Sequence, residues 1–265
     1  THIDMIQPRL RTLTGRQLAY NPSTSKKGIT AKVDAIPEVE NEEEFKAWLG
    51  TIKGKFILNS MYQTTGRPDY NWEKFATEES FEKMKQHREE VSSSWYSNFR
   101  KMGVNRREIN TVLEEAGAAG IITSNWAGGF GANRVFSAGT KKIPSVDMDL
   151  EDYSMLYRMV KNGTIPELSI IATSEDLGTV PTFNTIGMIK GVELPNEYVV
   201  LSAHFDSWDG ATGATDNGTG TLVMLEAMRI LKLVHPNPKR TILVGHWGGE
   251  EQGLNGSRAF VEDYP

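Results

Sequence analysis

The strongest constraint on the fold is a strand–helix–strand pattern between residues 198 and 244. Residues 198–203 (Tyr-Val-Val-Leu-Ser-Ala) form a nearly continuous apolar run, which is typical of a strand buried on both faces of a sheet. Residues 220–234 are apolar almost all round and predict a buried helix, and residues 241–244 predict a second buried strand. Strands joined in this way lie parallel, so we predict an α/β sheet here.

Histidine and acidic side chains follow both predicted strands directly. His204 and Asp206 come after the first strand, and Glu250 and Glu251 come shortly after the second. Asp216 lies between them in a glycine-rich segment before the helix. In a parallel sheet, ligands gather at the carboxyl ends of the strands. We therefore expect these five side chains to lie close together.

The chemistry of these side chains suits a metal-dependent hydrolase. Residues i and i+2 of an extended segment point the same way, so Asp206 can hold one ring nitrogen of His204 while the other faces a metal. An aspartate such as Asp216 can bridge two zinc ions about 3.5–4 Å apart. One glutamate of the pair can bind metal while the other takes a proton from water.

Each element has a plainer interpretation when it is taken alone. The His-x-Asp segment fits a polar surface loop, Asp216 fits a helix N-cap, and two adjacent glutamates fit a solvated acidic pair. His246 is interpreted as a structural residue rather than as a ligand. The order of the elements, at the ends of two buried strands, is what makes the combination specific.

Composition narrows the possible chemistry and partners. The 265 residues include no cysteine, which excludes disulfides and thiolate ligands and leaves His, Asp and Glu to hold a metal. The formal net charge of -5 gives no support for a nucleic-acid partner. No apolar run approaches the roughly 18 residues that a transmembrane helix needs, so no transmembrane segment is predicted.

The first 165 residues carry a different pattern. Residues 1–30 are polar and predict an extended lead-in segment. Short apolar runs alternate with predicted helices over residues 31–165, and the pattern changes from Glu167 onward. The longest predicted helix, over residues 78–102, has an apolar stripe made of Phe81, Met84, Val91, Trp95, Phe99 and Met102. The glycine-rich segment at residues 125–131 lacks the spacing of a phosphate-binding loop and predicts a turn.

Three motifs together resemble a known family. His-Phe-Asp-Ser-Trp-Asp, Ala-Thr-Asp-Asn-Gly-Thr-Gly and Trp-Gly-Gly-Glu-Glu-Gln-Gly-Leu-Asn-Gly-Ser are similar to the co-catalytic zinc exopeptidases of the bacterial leucyl aminopeptidase type. The Ser-Trp-Asp extension after Asp206 is most similar to the plasma glutamate carboxypeptidase branch. The motifs cover about residues 185–260. Residues 31–165 resemble, more loosely, the protease-associated domain that this branch inserts into its catalytic domain.

The resemblance implies a role for each candidate site residue. His204 would bind one zinc ion, Asp216 would bridge two, and Glu251 would bind the other. Glu250 would act as the general base, and Asp206 would be the partner of His204. The resemblance also implies a peptide substrate, release of N-terminal residues from peptides or dipeptides, and a periplasmic or extracellular location.

The implied fold is α/β, with part of a mixed, mostly parallel sheet and flanking helices, plus the inserted α+β domain. The expected divisions are a lead-in at 1–30, the protease-associated-like domain at 31–165 and the first part of a zinc peptidase domain at 166–265. The family uses a further Asp and a distant His after the glutamate pair, so we expect the chain to be a portion of a longer protein and to be inactive if it stands alone.

Two other functions remain open from the sequence. The chain could be a non-catalytic peptide- or protein-binding module with an incomplete metal site. It could also be a relative of the single-zinc glutaminyl cyclases, which share the fold and similar motifs, although the glutamate pair and the inserted domain argue against this alternative.

Overall fold

A computed structural model describes residues 1–131, 134–208 and 210–264. The chain divides into two compact units, Thr1–Asp176 and Leu177–Pro265. They are called here the amino-terminal and the carboxyl-terminal unit. Within the described ranges, no helix combines the length and apolarity needed to cross a membrane.

The amino-terminal unit is an eight-stranded mixed sheet with five helices among its described residues. Its strands lie in the order β2-β1-β8-β4-β5-β6-β7-β3, with β4 to β7 mutually parallel. In chain order the elements are β1 (His2–Gln7), β2 (Arg11–Thr12), β3 (Gly15–Gln17), β4 (Ile29–Ala35), α1 (Glu42–Leu49), β5 (Phe56–Leu58), α2 (Asp69–Phe75), α3 (Glu78–Met102), α4 (Ile109–Glu115), β6 (Gly120–Thr123), β7 (Ser145–Met148), α5 (Leu150–Lys161) and β8 (Glu167–Ile171).

Both faces of this sheet are covered. Alternate residues of a strand point to opposite faces, so Phe56 and Leu58 of β5 join one apolar cluster while Ile57 joins the other. Tyr153 of α5 belongs to the first cluster and is fully buried. Helices α1, α3 and α4 close the second. The amphipathic helix predicted over 78–102 is present, with Met84, Phe99 and Met102 of its predicted stripe buried.

The carboxyl-terminal unit contains a three-stranded mixed sheet in the order β10-β11-β9. Strands β10 and β11 are parallel, and β9 is antiparallel to β11. Its elements are β9 (Thr185–Ile189), β10 (Leu194–His204), α6 (Gly220–Val234), β11 (Arg240–Trp247) and α7 (Asn255–Asp263). The predicted strand–helix–strand pattern is therefore present, and the expected mixed α/β class with flanking helices is confirmed.

Burial in this unit differs from the prediction. Strand β10 lies at the edge of the sheet, and its residues Tyr198, Val199 and Val200 are about half exposed. Helix α6 has no buried residue. The prediction that both elements are buried is wrong for this chain. An all-apolar pattern shows that an element has apolar surface to bury, but it does not show whether another element covers that surface.

The observed division also differs from the expected boundaries. Residues 1–30, predicted as an extended lead-in, supply β1, β2 and β3 and the first residues of β4, so they are part of the large sheet. Strand β8, expected in the peptidase domain, pairs antiparallel with β1 and β4. The chain therefore divides after Asp176 rather than after residue 165. No local signal in residues 1–30 indicated this pairing, because β1 and β8 lie at opposite ends of the unit's sequence.

Candidate metal centre

Two neighbouring strands carry the candidate site at their carboxyl ends. Strands β10 and β11 run in register, with His204 opposite Trp247 at the last pair. The backbone N–H of Phe205 then donates to the carbonyl of Trp247 at 2.8 Å, which keeps the two chains together one residue beyond the sheet. The segment with Asp206 and the turn with the glutamate pair therefore leave the sheet side by side, as the sequence predicted.

His204 is almost buried, with 8% of its side chain exposed, and both ring nitrogens have oxygen partners. Nε2 lies 2.9 Å from Oδ1 of Asp216. Nδ1 lies 2.9 Å from the backbone oxygen of Asp206 and 3.6 Å from its carboxylate. A hydrogen bond at Nδ1 leaves Nε2 as the nitrogen that faces Asp216. The nearest partner of the ring at Nδ1 is thus the Asp206 backbone rather than the expected carboxylate.

The Asp206 carboxylate instead organises the glutamate turn. Its two oxygens accept the backbone N–H groups of Glu250 at 3.0 Å and Glu251 at 3.1 Å. A carboxylate that accepts two backbone donors is held firmly, because both of its oxygens are engaged. Asp206 therefore fixes the path of the chain at the glutamates while its backbone orients His204.

Asp216 occupies an irregular turn, Ala214–Thr219, that precedes α6. The turn opens at Gly213, whose positive φ of 62° favours glycine. The side chain of Asn217 accepts the backbone N–H of Gly220 at the start of α6, at 3.1 Å. The first helix amide is thus held by Asn217, and the largely exposed Asp216 carboxylate lies against His204.

The local electrostatics reflect several carboxylates around one imidazole. Burial acts to lower the pKa of His204, but the Asp206 carbonyl and the carboxylates of Glu250 and Asp216 outweigh it and raise that pKa above its usual value. Burial raises the pKa of Glu251, and repulsion from Asp216 adds to the rise. Such crowding of like charges favours a bound cation.

Three of these side chains fit a metal ion. One donor atom each from His204, Asp216 and Glu251 lies within 4.8 Å of the other two. Zinc binds nitrogen and oxygen at about 2.0–2.2 Å, so its ligand atoms lie at most about 4.4 Å apart. The observed spread is close to that limit. The donor set, one imidazole and two carboxylates, is one that zinc accepts.

Glu250 lies beside this group without belonging to it. Its carboxylate is 3.7 Å from Nε2 of His204 and is about one third exposed. The two adjacent glutamates therefore differ, since only Glu251 belongs to the three-residue group. Next to His204, a cavity of about 150 Å³ is lined by Asp206, Gly213 and Asn217 among others.

One positioning residue was not found from the sequence. The Asn184 side chain, just before β9, donates to the carbonyl of Gly256 at 2.8 Å and accepts the N–H of Gly248 at 3.2 Å. A Cβ at Gly256 would lie 2.2 Å from the Asn184 amide oxygen, so the fit requires glycine there. A single Asn before a strand carries no recognisable signal, because its two partners lie over 60 residues away.

His246 and the tryptophan segment complete the surroundings. His246 is 2% exposed and stacks on Phe205 with ring centroids 4.6 Å apart, which agrees with a structural residue. The carbonyl of Trp208 accepts the N–H of Ala211 at 2.9 Å. Asp209, the last residue of the Ser-Trp-Asp extension, lies outside the described residues.

Comparison with known proteins matches the segment that carries this site to a family model. Residues 184–265 match the model of peptidase family M28. Carboxypeptidase Q of Bos taurus is 33% identical over 127 residues, which make up 48% of this chain and 27% of the relative. The resemblance to the zinc exopeptidases is thereby confirmed for the segment that carries the candidate site.

Solved structures show the same fold. A peptidase M28 precursor from Shewanella amazonensis aligns with a TM-score of 0.68 at 23% identity, covering 99% of this chain and 54% of that one. A zinc aminopeptidase from Bacillus subtilis aligns with a TM-score of 0.63 at 23% identity, covering 99% and 51%. The chain thus spans about half the length of these structures and about a quarter of the curated relative.

Proposed function

We propose that this chain carries the metal-binding part of a zinc-dependent exopeptidase that removes N-terminal residues from peptides or dipeptides. The observation that supports this most strongly is the convergence of His204, Asp216 and Glu251 at the ends of two parallel strands. The match of residues 184–265 to a peptidase family, and the zinc aminopeptidase among the structural neighbours, support zinc as the ion.

His204, Asp216 and Glu251 would hold zinc, and Asp216 would also serve a second ion, as the resemblance implies. A zinc ion held there would supply a Lewis acid for the scissile carbonyl and would lower the pKa of a bound water molecule to about 7. Glu250 takes the proton of the attacking water at a carboxylate oxygen and returns it to the leaving amine. Asp206 keeps both glutamates in position through their backbone N–H groups.

The domain identity and the location are part of the same proposal. The amino-terminal unit would be the protease-associated-like domain, and the protein would act in the periplasm or outside the cell, as the resemblance implies. The carboxypeptidase Q relatives support the branch. Short peptides are the proposed substrates.

Metal binding tests the ligand set without relying on turnover. We expect the chain to bind zinc or cobalt in titration calorimetry, and we expect His204→Ala and Glu251→Ala to weaken binding by about tenfold or more. His235→Ala is the matched control, because His235 is an exposed histidine of the same unit. Equal zinc affinity in His204→Ala and His235→Ala would contradict the proposed ligands.

Hydrolysis tests the general base. Release of amino acids from short peptides is measured with and without a chelator, in a full-length protein that contains this chain and in its Glu250→Gln variant. The amide keeps the size of the side chain but cannot take a proton, so we expect activity to fall by about 10²–10⁴-fold. Activity that survives both the chelator and Glu250→Gln would exclude this mechanism, and binding without hydrolysis would favour the binding-module alternative.

A further inference from the structure

A second cavity lies in the amino-terminal unit, at the carboxyl ends of parallel strands. It has a volume of about 480 Å³, which lies within the range of small-molecule sites. Asn59 and Ser60 directly follow β5, and Ser124 and Asn125 follow the neighbouring strand β6; all four line the cavity. Helices α3 and α4 supply the opposite wall. This edge of a parallel sheet is where ligands usually bind.

The cavity is cationic although the chain is acidic overall. Arg106 and Arg134 line it, and none of the described lining residues is acidic. The chain as a whole has 34 acidic and 29 basic residues, so this local bias is opposite to the average. Neither arginine forms an ion pair with another described residue. The guanidinium of Arg106 stacks over Tyr96 at 4.7 Å, which leaves its N–H edge available for a carboxylate.

Buried side chains hold the strand ends that form the floor. Tyr153, fully buried, accepts the backbone N–H of Ser60 at 2.7 Å and donates to its carbonyl at 2.8 Å. Asp147, also fully buried, accepts from the Thr123 hydroxyl at 2.7 Å and from the backbone of Asn125 at 2.8 Å. The floor is therefore preorganised, as binding sites require.

The floor also presents one hydroxyl without a protein partner. The Ser60 hydroxyl oxygen accepts the backbone N–H of Ser124 at 2.9 Å, which joins the two strand ends. The hydroxyl of Ser124 is buried and has no hydrogen-bond partner among the described residues. A buried hydroxyl without a partner carries a desolvation cost that a polar ligand atom relieves. The aromatic rings of Trp95, Tyr96, Trp126 and Phe136 line the same cavity.

We propose that this cavity binds a carboxylate of a short peptide that also carries an aromatic side chain. The arginines recognise the carboxylate, the Ser124 hydroxyl bonds to a peptide group, and the rings pack against the apolar part. The carboxylate can be the C-terminus of the peptide or an acidic side chain. The site lies in the amino-terminal unit and does not depend on the proposed zinc chemistry.

Three capped dipeptides distinguish binding of a C-terminal carboxylate from binding of an acidic side chain. N-acetyl-asparaginyl-phenylalanine has only a terminal carboxylate, N-acetyl-aspartyl-phenylalaninamide has only a side-chain carboxylate, and N-acetyl-asparaginyl-phenylalaninamide has neither. Titration calorimetry of the full chain in a chelator keeps any metal site out of the measurement. We expect at least one charged peptide to bind about tenfold more tightly than the neutral one. Equal affinity for all three would overturn the proposal.

Variants assign the binding to the cavity. Arg106→Gln and Arg134→Gln are each expected to weaken binding of the preferred peptide by about tenfold, and Ser124→Ala by a few fold. Arg107→Gln is the matched control, because Arg107 is exposed and adjacent but does not line the cavity. If Arg106→Gln and Arg107→Gln weaken peptide binding equally, the loss of affinity reflects the positive charge of the region rather than contact in the cavity, and the proposal is wrong.

A failure of the cavity proposal can be told apart from a failure of the proposed peptidase function. His204→Ala should leave affinity for the preferred dipeptide unchanged, since the two sites share no residue. Loss of dipeptide binding in His204→Ala, with thermal unfolding unaltered, would place the binding at the metal centre instead. Loss of zinc binding alone would leave the cavity proposal standing.

Discussion

Apolar strands and helices are buried to different extents in the two units. In the amino-terminal unit, the parallel strands are covered on both faces, and Phe56, Ile57 and Leu58 of β5 are at most 1% exposed. In the carboxyl-terminal unit, β10 and α6 are just as apolar, yet Val199 is 47% exposed and Leu222 is 67% exposed. The hydrophobic pattern of a segment therefore indicates whether it forms a strand or a helix, whereas the burial of that element depends on what packs against it.

The candidate metal site contains a nearly buried side chain even though the strand that carries it is half exposed. His204 is nearly buried although residues 198–200 of the same strand are half exposed. The site is built from the last residue of the strand, the adjoining strand end and a turn before the helix, so it needs only the pair of strands and not a complete core. The less covered unit can therefore still hold a well-defined geometry.

The largest expected effect compares one leucine from each unit. Leu113 of α4 is 0% exposed, whereas Leu222 of α6 is 67% exposed. Leu113→Ala is expected to lower the free energy of unfolding by about 2–5 kcal/mol, and Leu222→Ala to change it by less than about 0.5 kcal/mol. Urea unfolding with amide exchange resolved for each unit measures both. Similar losses in the two variants would break the comparison.

A smaller effect tests how the carboxyl-terminal unit holds its site. Asp206→Ala removes the acceptor of two backbone N–H groups, and hydrogen bonds to charged acceptors contribute about 1.5–3 kcal/mol. Because Asp206 is partly exposed, we expect about 1–2 kcal/mol of local stability to be lost, seen as faster amide exchange at Glu250 and Glu251. The exposed Asp263→Ala is the control. Unchanged exchange at the two glutamates would refute the positioning role of Asp206.

The smallest effect is a pH dependence at His246. Burial lowers the pKa of this histidine below 6.5, its usual value. The imidazole of His246 therefore binds a proton more readily in the unfolded chain than in the folded one. The stability contributed by the neutral ring is present above pH 6.5 and is lost as the pH falls through the lowered pKa. His246→Leu should flatten this decline in thermal unfolding scans, while His235→Gln should not. A steeper decline in His246→Leu would contradict the assignment.

Much of this fold and site followed from the sequence for identifiable reasons. The amphipathic helix over residues 78–102, the strand–helix–strand order and the nearness of His204 to the glutamates depend on local or strand-end signals. Three features could not be predicted. The pairing of β1 with β8 joins residues at least 160 positions apart, the exposure of α6 depends on what packs against it, and the Asp206 carboxylate had several possible hydrogen-bond donors.

The Asn184 side chain has a consequence for how this protein tolerates change. It joins the N–H of Gly248 to the carbonyl of Gly256, so the stretch of chain carrying both glutamates is closed into a loop by a residue that touches neither of them. A Cβ at position 256 would meet both the Asn184 amide oxygen, at 2.2 Å, and the Gly248 carbonyl oxygen, at 2.5 Å, so glycine is required there whatever residue stands at 184. A survey that ranks residues by distance from the metal ligands would miss both positions.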